Sequence, residues 1–158
     1  MENNNFWGYE PVMAVANIKG SSAYPDIDGR VIFKKKNDGV LVTAEIMGLP
    51  ENGTTNNTGI FGFHIHEGEE CTGNENDEFA NVGGHYNPEK LQHPYHVGDL
   101  PPLFASNGYA YMSVYTDRVN LKEIIGRTVI IHREKDDFNT QPGGNSGLKI
   151  ACGVILIT

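Results

Sequence analysis

Ile60-Phe61-Gly62-Phe63-His64-Ile65-His66 is the stretch that says most about the architecture of this chain. Neighbouring residues of a β-strand point to opposite faces, which gives this stretch an apolar face made of Phe61, Phe63 and Ile65. His64 and His66 share the other face, roughly 7 Å apart along the strand, and Gly62 leaves room beside them. The stretch therefore predicts a strand that packs on a core through one face and can grip a metal ion through the other.

The rest of the chain reads as further short strands separated by turns. Strands are predicted at 12–20, 30–35, 39–47, 60–66, 99–106, 108–116, 127–133 and 149–157. Asp38-Gly39 is a strong signal for a hairpin between the second and third strands. Residues 120–126 predict one helical turn, and 67–84, 85–98 and 134–148 are polar or Gly-rich loops. Eight evenly spaced antiparallel strands predict an all-β sandwich or barrel.

Length and charge restrict the organisation and the partners of the chain. Its 158 residues predict one domain, 1–158, in which residues 1–10 form a loosely ordered N-terminal extension. The net charge of −8 argues against nucleic acid and anionic membranes as partners, and it means that an anionic substrate needs a local positive patch. The start of the chain has no signal-peptide pattern, which predicts a cytoplasmic protein; the alternative is an exported form whose signal was trimmed.

All six histidines of the chain can be assigned to one site with two metal ions: His64, His66, His85, His93, His96 and His132. Four imidazoles on one ion, and three imidazoles with a carboxylate on the other, require seven imidazole contacts. Six histidines suffice if one imidazole bridges both ions, and Asp99 supplies the carboxylate. Four imidazoles suit Cu(II), whereas three imidazoles and a carboxylate suit a closed zinc site. The inventory therefore predicts a paired copper–zinc centre.

Spacing strengthens this interpretation. His85, His93, His96 and Asp99 fall within a 15-residue window of a loop that has no core of its own. A histidine pair on a strand, or a lone histidine such as His132 at a strand end, would otherwise be ordinary surface residues. A zinc hydrolase is disfavoured because it needs an open metal position and a general base, and no histidine is left over.

Two cysteines, Cys71 in an acidic stretch and Cys152 in an apolar run, leave two alternatives open. They are free thiols, as in many cytosolic proteins, or they form a bridge that ties a loop to a late strand. A bridge closing so long a segment would stabilise the fold by about 4–5 kcal/mol in the chain-entropy model.

At its metal-binding residues the chain closely resembles the copper–zinc superoxide dismutases. The similar segments in the first half of the resemblance are Gly62-Phe63-His64-Ile65-His66-Glu67, Gly84-His85-Tyr86-Asn87-Pro88 and His96-Val97-Gly98-Asp99-Leu100. Those in the second half are Gly126-Arg127-Thr128-Val129-Ile130-Ile131-His132, Asp136-Asp137, Gly144-Asn145-Ser146-Gly147 and Ala151-Cys152-Gly153-Val154-Ile155. The resemblance covers nearly the whole chain after about residue 12, and the run 98–104 is similar to the bacterial branch of the family.

The resemblance implies a fold, a reaction and a role for each site residue. It implies an eight-stranded antiparallel Greek-key barrel with long metal-binding and electrostatic loops. Copper would be held by His64, His66, His85 and His132, and zinc by His85, His93, His96 and Asp99. Copper redox cycling would convert two superoxide anions and two protons to oxygen and hydrogen peroxide, with His85 bridging and carrying a proton. It also implies that Asp136 orients one histidine of each site and that Cys71 and Cys152 form a disulfide. The number of subunits is left open, with a homodimer as one alternative.

Two positions depart from the pattern of the family. Lys149 stands three residues before the last cysteine, where the family usually has an arginine beside the copper channel. Lysine keeps the charge that attracts an anion but lacks the planar fork for two-point contact. The link between His93 and His96 is also shorter than in many relatives, which would stiffen or distort the zinc loop.

Two further expectations concern partners and an alternative function. Lys149, with Lys90 and Lys135, is a candidate for the local positive patch, although the pattern favours Lys90 and Lys135 as ordinary solvated lysines. The alternating Tyr109, Tyr111 and Tyr115 form an aromatic face that fits either a dimer interface or a half-exposed sheet. The alternative function is a non-catalytic zinc- and copper-binding domain of the same fold, which the complete set of copper ligands disfavours.

Overall fold

The computed structural model describes residues 11–51 and 59–158, so the expectation of a loosely ordered extension at 1–10 lies outside the described residues. In these ranges the chain forms nine strands: β1 Met13–Gly20, β2 Asp28–Lys36, β3 Gly39–Met47, β4 Ile60–Phe61, β5 Phe63–His66, β6 Leu103–Ser106, β7 Tyr109–Thr116, β8 Thr128–His132 and β9 Lys149–Ile157. One helical turn, α1 Leu121–Ile124, begins after Asn120, whose side chain accepts a hydrogen bond from the backbone of Lys122. No helix among the described residues has the length and apolar character needed to cross a membrane.

Alternation of side chains builds the core, as predicted. Ala14, Ala16 and Ile18 of β1 are fully buried. They belong to one core with the even-numbered residues of β3, Val42, Ala44 and Ile46. β2 and β3 form the predicted hairpin, in a register that pairs Lys36 with Gly39. Tyr109, Tyr111 and Tyr115 of β7 point outward and are exposed, while Ala110 is buried.

The predicted strand 60–66 is in fact two strands, which is why the structure has nine strands and not eight. Gly62 separates β4, which pairs with β6, from β5, which pairs with β8. A Cβ at Gly62 would lie 2.7 Å from Oγ of Ser146, so any other residue at this break would force Ser146 to shift. The predicted strand 99–106 begins only at Leu103, because Pro101 and Pro102 have no N–H to donate to a neighbouring strand.

These two pairings nearly close the sheet into an antiparallel barrel. The strand order is β4-β6-β7-β3-β2-β1-β9-β8-β5, so β4 and β5 lie at opposite ends of the sheet. Because they are joined directly through Gly62, the two ends of the sheet meet. The all-β antiparallel barrel predicted from the sequence is confirmed, and loops 67–84, 85–99 and 133–148 lie outside the strands.

Cys71 and Cys152 form a disulfide with an S–S distance of 2.05 Å, which confirms the pairing implied by the resemblance. Cys152 lies on β9 and Cys71 lies in the loop 67–84. A small apolar cluster of Phe79, Val82, Ile130 and Cys152 packs around the bridge. The disulfide and the cluster together hold this loop against the barrel.

Candidate metal centre

β5 brings the ligands of two separate segments together. One of its edges pairs with β8, and its other edge is paired with backbone from the loop 85–99. His66 pairs with His85 and His64 pairs with Asp99 in isolated antiparallel bridges. Residues of the loop are thereby placed beside the two strand histidines, in the arrangement that a shared site requires.

Gly98 allows the loop to approach β5 this closely. The backbone N–H of Ile65 donates to the carbonyl oxygen of Gly98 at 2.8 Å. A Cβ at Gly98 would lie 2.2 Å from the carbonyl oxygen of Ile65, which is far inside van der Waals contact. Glycine is therefore required here to bring the loop ligands to the strand.

His132 enters the site from the end of β8, where the pairing with β9 is irregular. Ile131 pairs with Ala151, but His132 pairs with Lys149, so that one residue of β9 is passed over. Such a bulge bends a strand and redirects its side chains. The register shift therefore lies at the residue whose imidazole joins the ligands of β5.

The first ligand group contains His64, His66, His85 and His132, each of which offers one ring nitrogen, and these four atoms lie within 4.8 Å of one another. Nδ1 of His66 lies 2.9 Å from the carbonyl oxygen of Gly83, and Nδ1 of His132 lies 3.2 Å from that of Gly147. A carbonyl only accepts, so both Nδ1 atoms carry the proton and both Nε2 atoms present lone pairs.

Those two lone pairs face each other, and a cation between them would remove their repulsion. Nε2 of His66 lies 3.2 Å from Nε2 of His132. Two acceptors at this distance repel unless a proton or a metal ion lies between them. Both histidines are buried, and burial opposes a proton there because it disfavours the charged imidazolium. The first group therefore fits a metal ion.

The second ligand group contains His85, His93, His96 and Asp99. Nδ1 of His85 lies 2.7 Å from Oδ1 of Asp99 and 3.4 Å from Nδ1 of His96. His85 is thus common to both groups. Since Nδ1 faces the second group, Nε2 is the ring nitrogen left for the first.

Asp136 connects the two groups through its carboxylate. Nε2 of His64 donates to Oδ2 at 2.7 Å, and Nε2 of His93 donates to Oδ1 at 2.8 Å. Both histidines therefore carry their proton on Nε2, and each Nδ1 is a buried acceptor without a hydrogen bond. Nδ1 of His93 lies 3.1 Å from Oδ2 of Asp99, but two acceptors do not bond to each other. One such lone pair faces each group, so both groups fit metal ions.

Two residues without a role in the sequence analysis support Asp136. The backbone N–H of Phe138 donates to Oδ1 of Asp136 at 2.7 Å, from a left-handed conformation with a φ of 58°. Gly144 has a φ of +69°, and a Cβ there would lie 2.0 Å from Oδ1 of Asp136 and 2.6 Å from Nε2 of His93. Neither Phe138 nor Gly144 has a side chain that binds a metal, so the residue type of neither indicates this role. The segment with Gly144 was noted only because it resembles the family.

Gln141 binds the backbone at the start of the short link between His93 and His96. The backbone N–H of His93 donates to Oε1 of Gln141 at 2.9 Å, and Nε2 of Gln141 donates to the carbonyl oxygen of His93 at 2.8 Å. These reciprocal bonds fasten the loop 85–99 to the loop 133–148. Despite the short link, His93 and His96 both reach the second ligand group.

Burial and hydrogen bonds shift the pKa values of the site so that protons do not compete with a metal ion at neutral pH. Burial lowers the pKa of His64 to about 4, against the opposing hydrogen bond to Asp136, and lowers the pKa of His132 to about 3. The pKa of His66 also lies well below 6.5 for the same reason. Burial alone would raise the pKa of Asp136, but hydrogen bonds from His64, Phe138 and His93 lower it to about 2. At neutral pH these three imidazoles are therefore neutral and the carboxylate is charged, as metal binding requires.

These pKa values predict how acid affects the metal-free protein. Histidine titrates near 6.5 in the unfolded chain, so the unfolded state binds more protons than the folded state between about pH 6.5 and 4. The free energy of unfolding is therefore expected to fall as the pH falls through this window. Urea unfolding at about pH 7 and about pH 4.5 measures the difference. Asp136 contributes little to it, because carboxyl groups of the unfolded chain take up protons mainly below about pH 4. All six histidines belong to the site, so no histidine elsewhere would mask the effect. Equal free energies of unfolding at the two pH values would therefore contradict the low pKa values.

Lys149 lies beside the first group, but its charge is compensated. Its Nζ lies 2.6 Å from Oδ2 of Asp77 and donates to the carbonyl oxygen of Phe79 at 3.1 Å. The side chain is 18% exposed. The sequence predicts that Lys149 attracts an anion, but its pattern does not indicate this ion pair with the loop 67–84.

Comparison with known proteins assigns the family. Residues 27–155 match the family described as "Copper/zinc superoxide dismutase (SODC)". A superoxide dismutase [Cu-Zn] of Legionella pneumophila is 37% identical over 156 residues, covering 90% of each chain, and one of Photobacterium leiognathi is 36% identical over 141 residues, covering 80% of this chain and 78% of the relative. Superoxide dismutase [Cu-Zn] A of Xenopus laevis is 34% identical over 160 residues, covering 91% of this chain and 97% of the relative. The two bacterial relatives agree with the resemblance to the bacterial branch. With its barrel, its disulfide and its two joined ligand groups, the chain belongs to the copper/zinc superoxide dismutase family.

Proposed function

We propose that the protein is a superoxide dismutase that uses copper held by His64, His66, His85 and His132 and zinc held by His85, His93, His96 and Asp99. The observation that carries this proposal is the position of His85, whose imidazole belongs to both ligand groups. Bound copper supplies the one-electron exchange by which two superoxide anions and two protons become one O2 and one H2O2.

The residues of the chain orient the ligands and prevent other chemistry. Asp136 fixes His64 and His93 by accepting a hydrogen bond from Nε2 of each ring, so that each Nδ1 points into its group. The carbonyl oxygens of Gly83 and Gly147 do the same for His66 and His132 through Nδ1. Such partners hold each ring in one tautomer and one orientation, which preorganises the site.

His85 is the residue at which the chain can hold a proton during turnover. Its Nδ1 is engaged in the second group, so Nε2 is the atom that takes up one of the two protons consumed. Gly143 lies over this atom, because a Cβ there would lie 3.3 Å from Nε2 of His85. A side chain at position 143 would therefore crowd this nitrogen, and glycine keeps it uncovered on that side.

Metal loading followed by a superoxide assay tests the proposal and its alternative. The metal-free protein is loaded with zinc and then with copper, the bound metals are counted, and superoxide consumption is measured by stopped-flow. Copper-dependent consumption supports the dismutase. Tight binding of both metals without consumption would favour the non-catalytic metal-binding domain.

The ion pair of Lys149 predicts the effect of charge on the rate. We propose that Lys149 attracts superoxide and that Asp77 weakens this attraction. Asp77→Asn is then expected to raise the rate of superoxide consumption several-fold at low ionic strength, and Lys149→Glu to lower it by roughly 10-fold. Both effects should shrink as salt is added. Glu89→Gln, which removes the charge of an exposed carboxylate in the loop 85–99, serves as the control for charge alone. A Lys149→Glu protein as fast as the parent would exclude steering by this residue.

For the assembly, we propose a homodimer formed through the exposed face of β7. Tyr109, Tyr111 and Tyr115 lie in a row on this face, and the exposed Phe104 extends it on the adjoining β6. Tyrosine and phenylalanine are enriched in interface cores, and one such strip is complementary to itself across a two-fold axis. Tyr111→Asp is expected to give a monomer in sedimentation velocity. Tyr95→Asp, an equally exposed tyrosine outside this face, is the matched control, and an unchanged sedimentation coefficient for both variants would contradict the interface.

A further inference from the structure

Arg118 contacts the segment that carries two of the proposed zinc ligands, although nothing in its sequence context indicates such a role. It lies between β7 and α1, far along the chain from the loop 85–99. Its Nη1 donates to the carbonyl oxygen of His96 at 3.3 Å, and its Nη2 donates to the carbonyl oxygen of Asp99 at 2.7 Å. One guanidinium therefore binds the first and the last residue of the segment 96–99.

This segment is a tight turn whose conformation decides where both ligands point. The backbone N–H of Asp99 donates to the carbonyl oxygen of His96 at 3.1 Å. In return the backbone N–H of His96 donates to Oδ2 of Asp99 at 2.9 Å. The ring of His96 and the carboxylate of Asp99 are thus fixed relative to each other by the turn, and Arg118 fastens the turn to the barrel.

We propose that Arg118 is a positioning residue for the zinc site, which it acts on through the backbone of His96 and Asp99. This inference rests on the zinc assignment of the proposed function. A guanidinium presents several N–H groups in a rigid planar fork, so it can bind two carbonyl oxygens at once. Lysine has the same charge but a single nitrogen, and it cannot reproduce both contacts with one fixed geometry.

The charge of Arg118 and its hydrogen bonds act on zinc in opposite directions. A cation near a Zn²⁺ site repels the ion, so removing it would tighten binding if electrostatics alone mattered. Removing the two hydrogen bonds loosens the turn and misplaces two of four ligands, which weakens binding. Partners that orient metal ligands contribute about 10- to 100-fold to metal affinity. The hydrogen bonds are therefore expected to prevail, and the sign of the change decides between the two effects.

Zinc titration of the metal-free full-length protein, in competition with a chelator, tests the inference. Arg118→Ala is expected to raise the zinc dissociation constant about 10- to 100-fold, and Arg118→Lys to give an intermediate value. Arg30→Ala is the matched control, because Arg30 is an exposed arginine on β2 whose guanidinium lies 4.0 Å from the carboxylate of Glu45. Its zinc affinity should equal that of the parent. The increase in Tm on adding zinc is a second readout, since it shrinks only if affinity is lost.

The outcomes separate this inference from the proposed function. Zinc affinity that is unchanged or tighter in Arg118→Ala overturns the positioning role, as does a variant that is less stable without zinc but keeps the full zinc-induced rise in Tm. Superoxide consumption by the copper-loaded parent is measured alongside. A parent that binds zinc but consumes no superoxide would overturn the proposed function and leave the role of Arg118 intact.

Discussion

Replacing His85 by alanine is expected to abolish superoxide consumption and to weaken the binding of both metals. His85 is the ligand that the two groups share, and its Nδ1 lies 2.7 Å from Oδ1 of Asp99. The variant loses a ligand on each side and also the atom proposed to hold a proton. Loss of a positioned proton donor alone lowers a rate by about 100-fold or more. Stopped-flow assays with superoxide, together with metal counting after dialysis, measure both effects.

His96→Ala is the matched control for this experiment, because His96 belongs to the second group alone. It is expected to weaken zinc binding while leaving the visible spectrum of bound copper close to that of the parent. His85→Ala should change that spectrum, since copper loses one of its proposed ligands. A copper spectrum that is unaffected by His85→Ala would contradict a shared imidazole, whatever happens to zinc.

Removing the disulfide is expected to have the largest effect on stability. The bridge joins Cys71 to Cys152 over a sequence separation of 81 residues. In the chain-entropy model, losing a cross-link of this length lowers the free energy of unfolding by about 4–5 kcal/mol. This is a large part of the roughly 5–15 kcal/mol that stabilises a typical domain. Cys71→Ser, unfolded by urea, measures the change.

Cys71 is the better position to change because it is only partly buried, whereas Cys152 is 3% exposed and packs in a small cluster. Cys152→Ser would therefore combine the loss of the cross-link with the cost of a buried hydroxyl. The parent unfolded with a reductant present is the control, and it should match Cys71→Ser. Equal stability of Cys71→Ser and the oxidised parent would show that the bridge does not stabilise the fold.

Most of the barrel could be predicted because alternation along a strand depends on neighbouring residues only. The alternation of Val42, Ala44 and Ile46 indicated β3, and its predicted bounds are those of the structure. The division of 60–66 could not be predicted, because it depends on contacts of Gly62 with residues 134 and 146, which are distant in the chain. The predicted start of the strand 99–106 was wrong for a local reason that the sequence does show, because Pro101 and Pro102 exclude regular pairing there.

For the site, the sequence indicated the ligands but not what holds them. Imidazole and carboxylate side chains are recognisable by type, and all the predicted metal ligands lie in the two groups. The ligands are held partly through backbone atoms, which every residue has. The carbonyl oxygens of Gly83 and Gly147 accept hydrogen bonds from the ligand rings, and the guanidinium of Arg118 donates to the carbonyl oxygens of two ligands. Their roles follow only from the folded geometry. The ion pair between Lys149 and Asp77 is of the same kind, since 72 residues separate its partners in the chain.

The contact between β5 and β8 has a consequence for aggregation. β5 carries His64 and His66, β8 ends at His132, and all five residues of β8 are buried. If β5 separates from β8, an apolar strand edge is exposed that can recruit the same strand of another molecule. A copper ion held as proposed by His64, His66 and His132 would cross-link the two strands and oppose this separation. Loss of the ion would therefore lower the solubility of the protein as well as its activity.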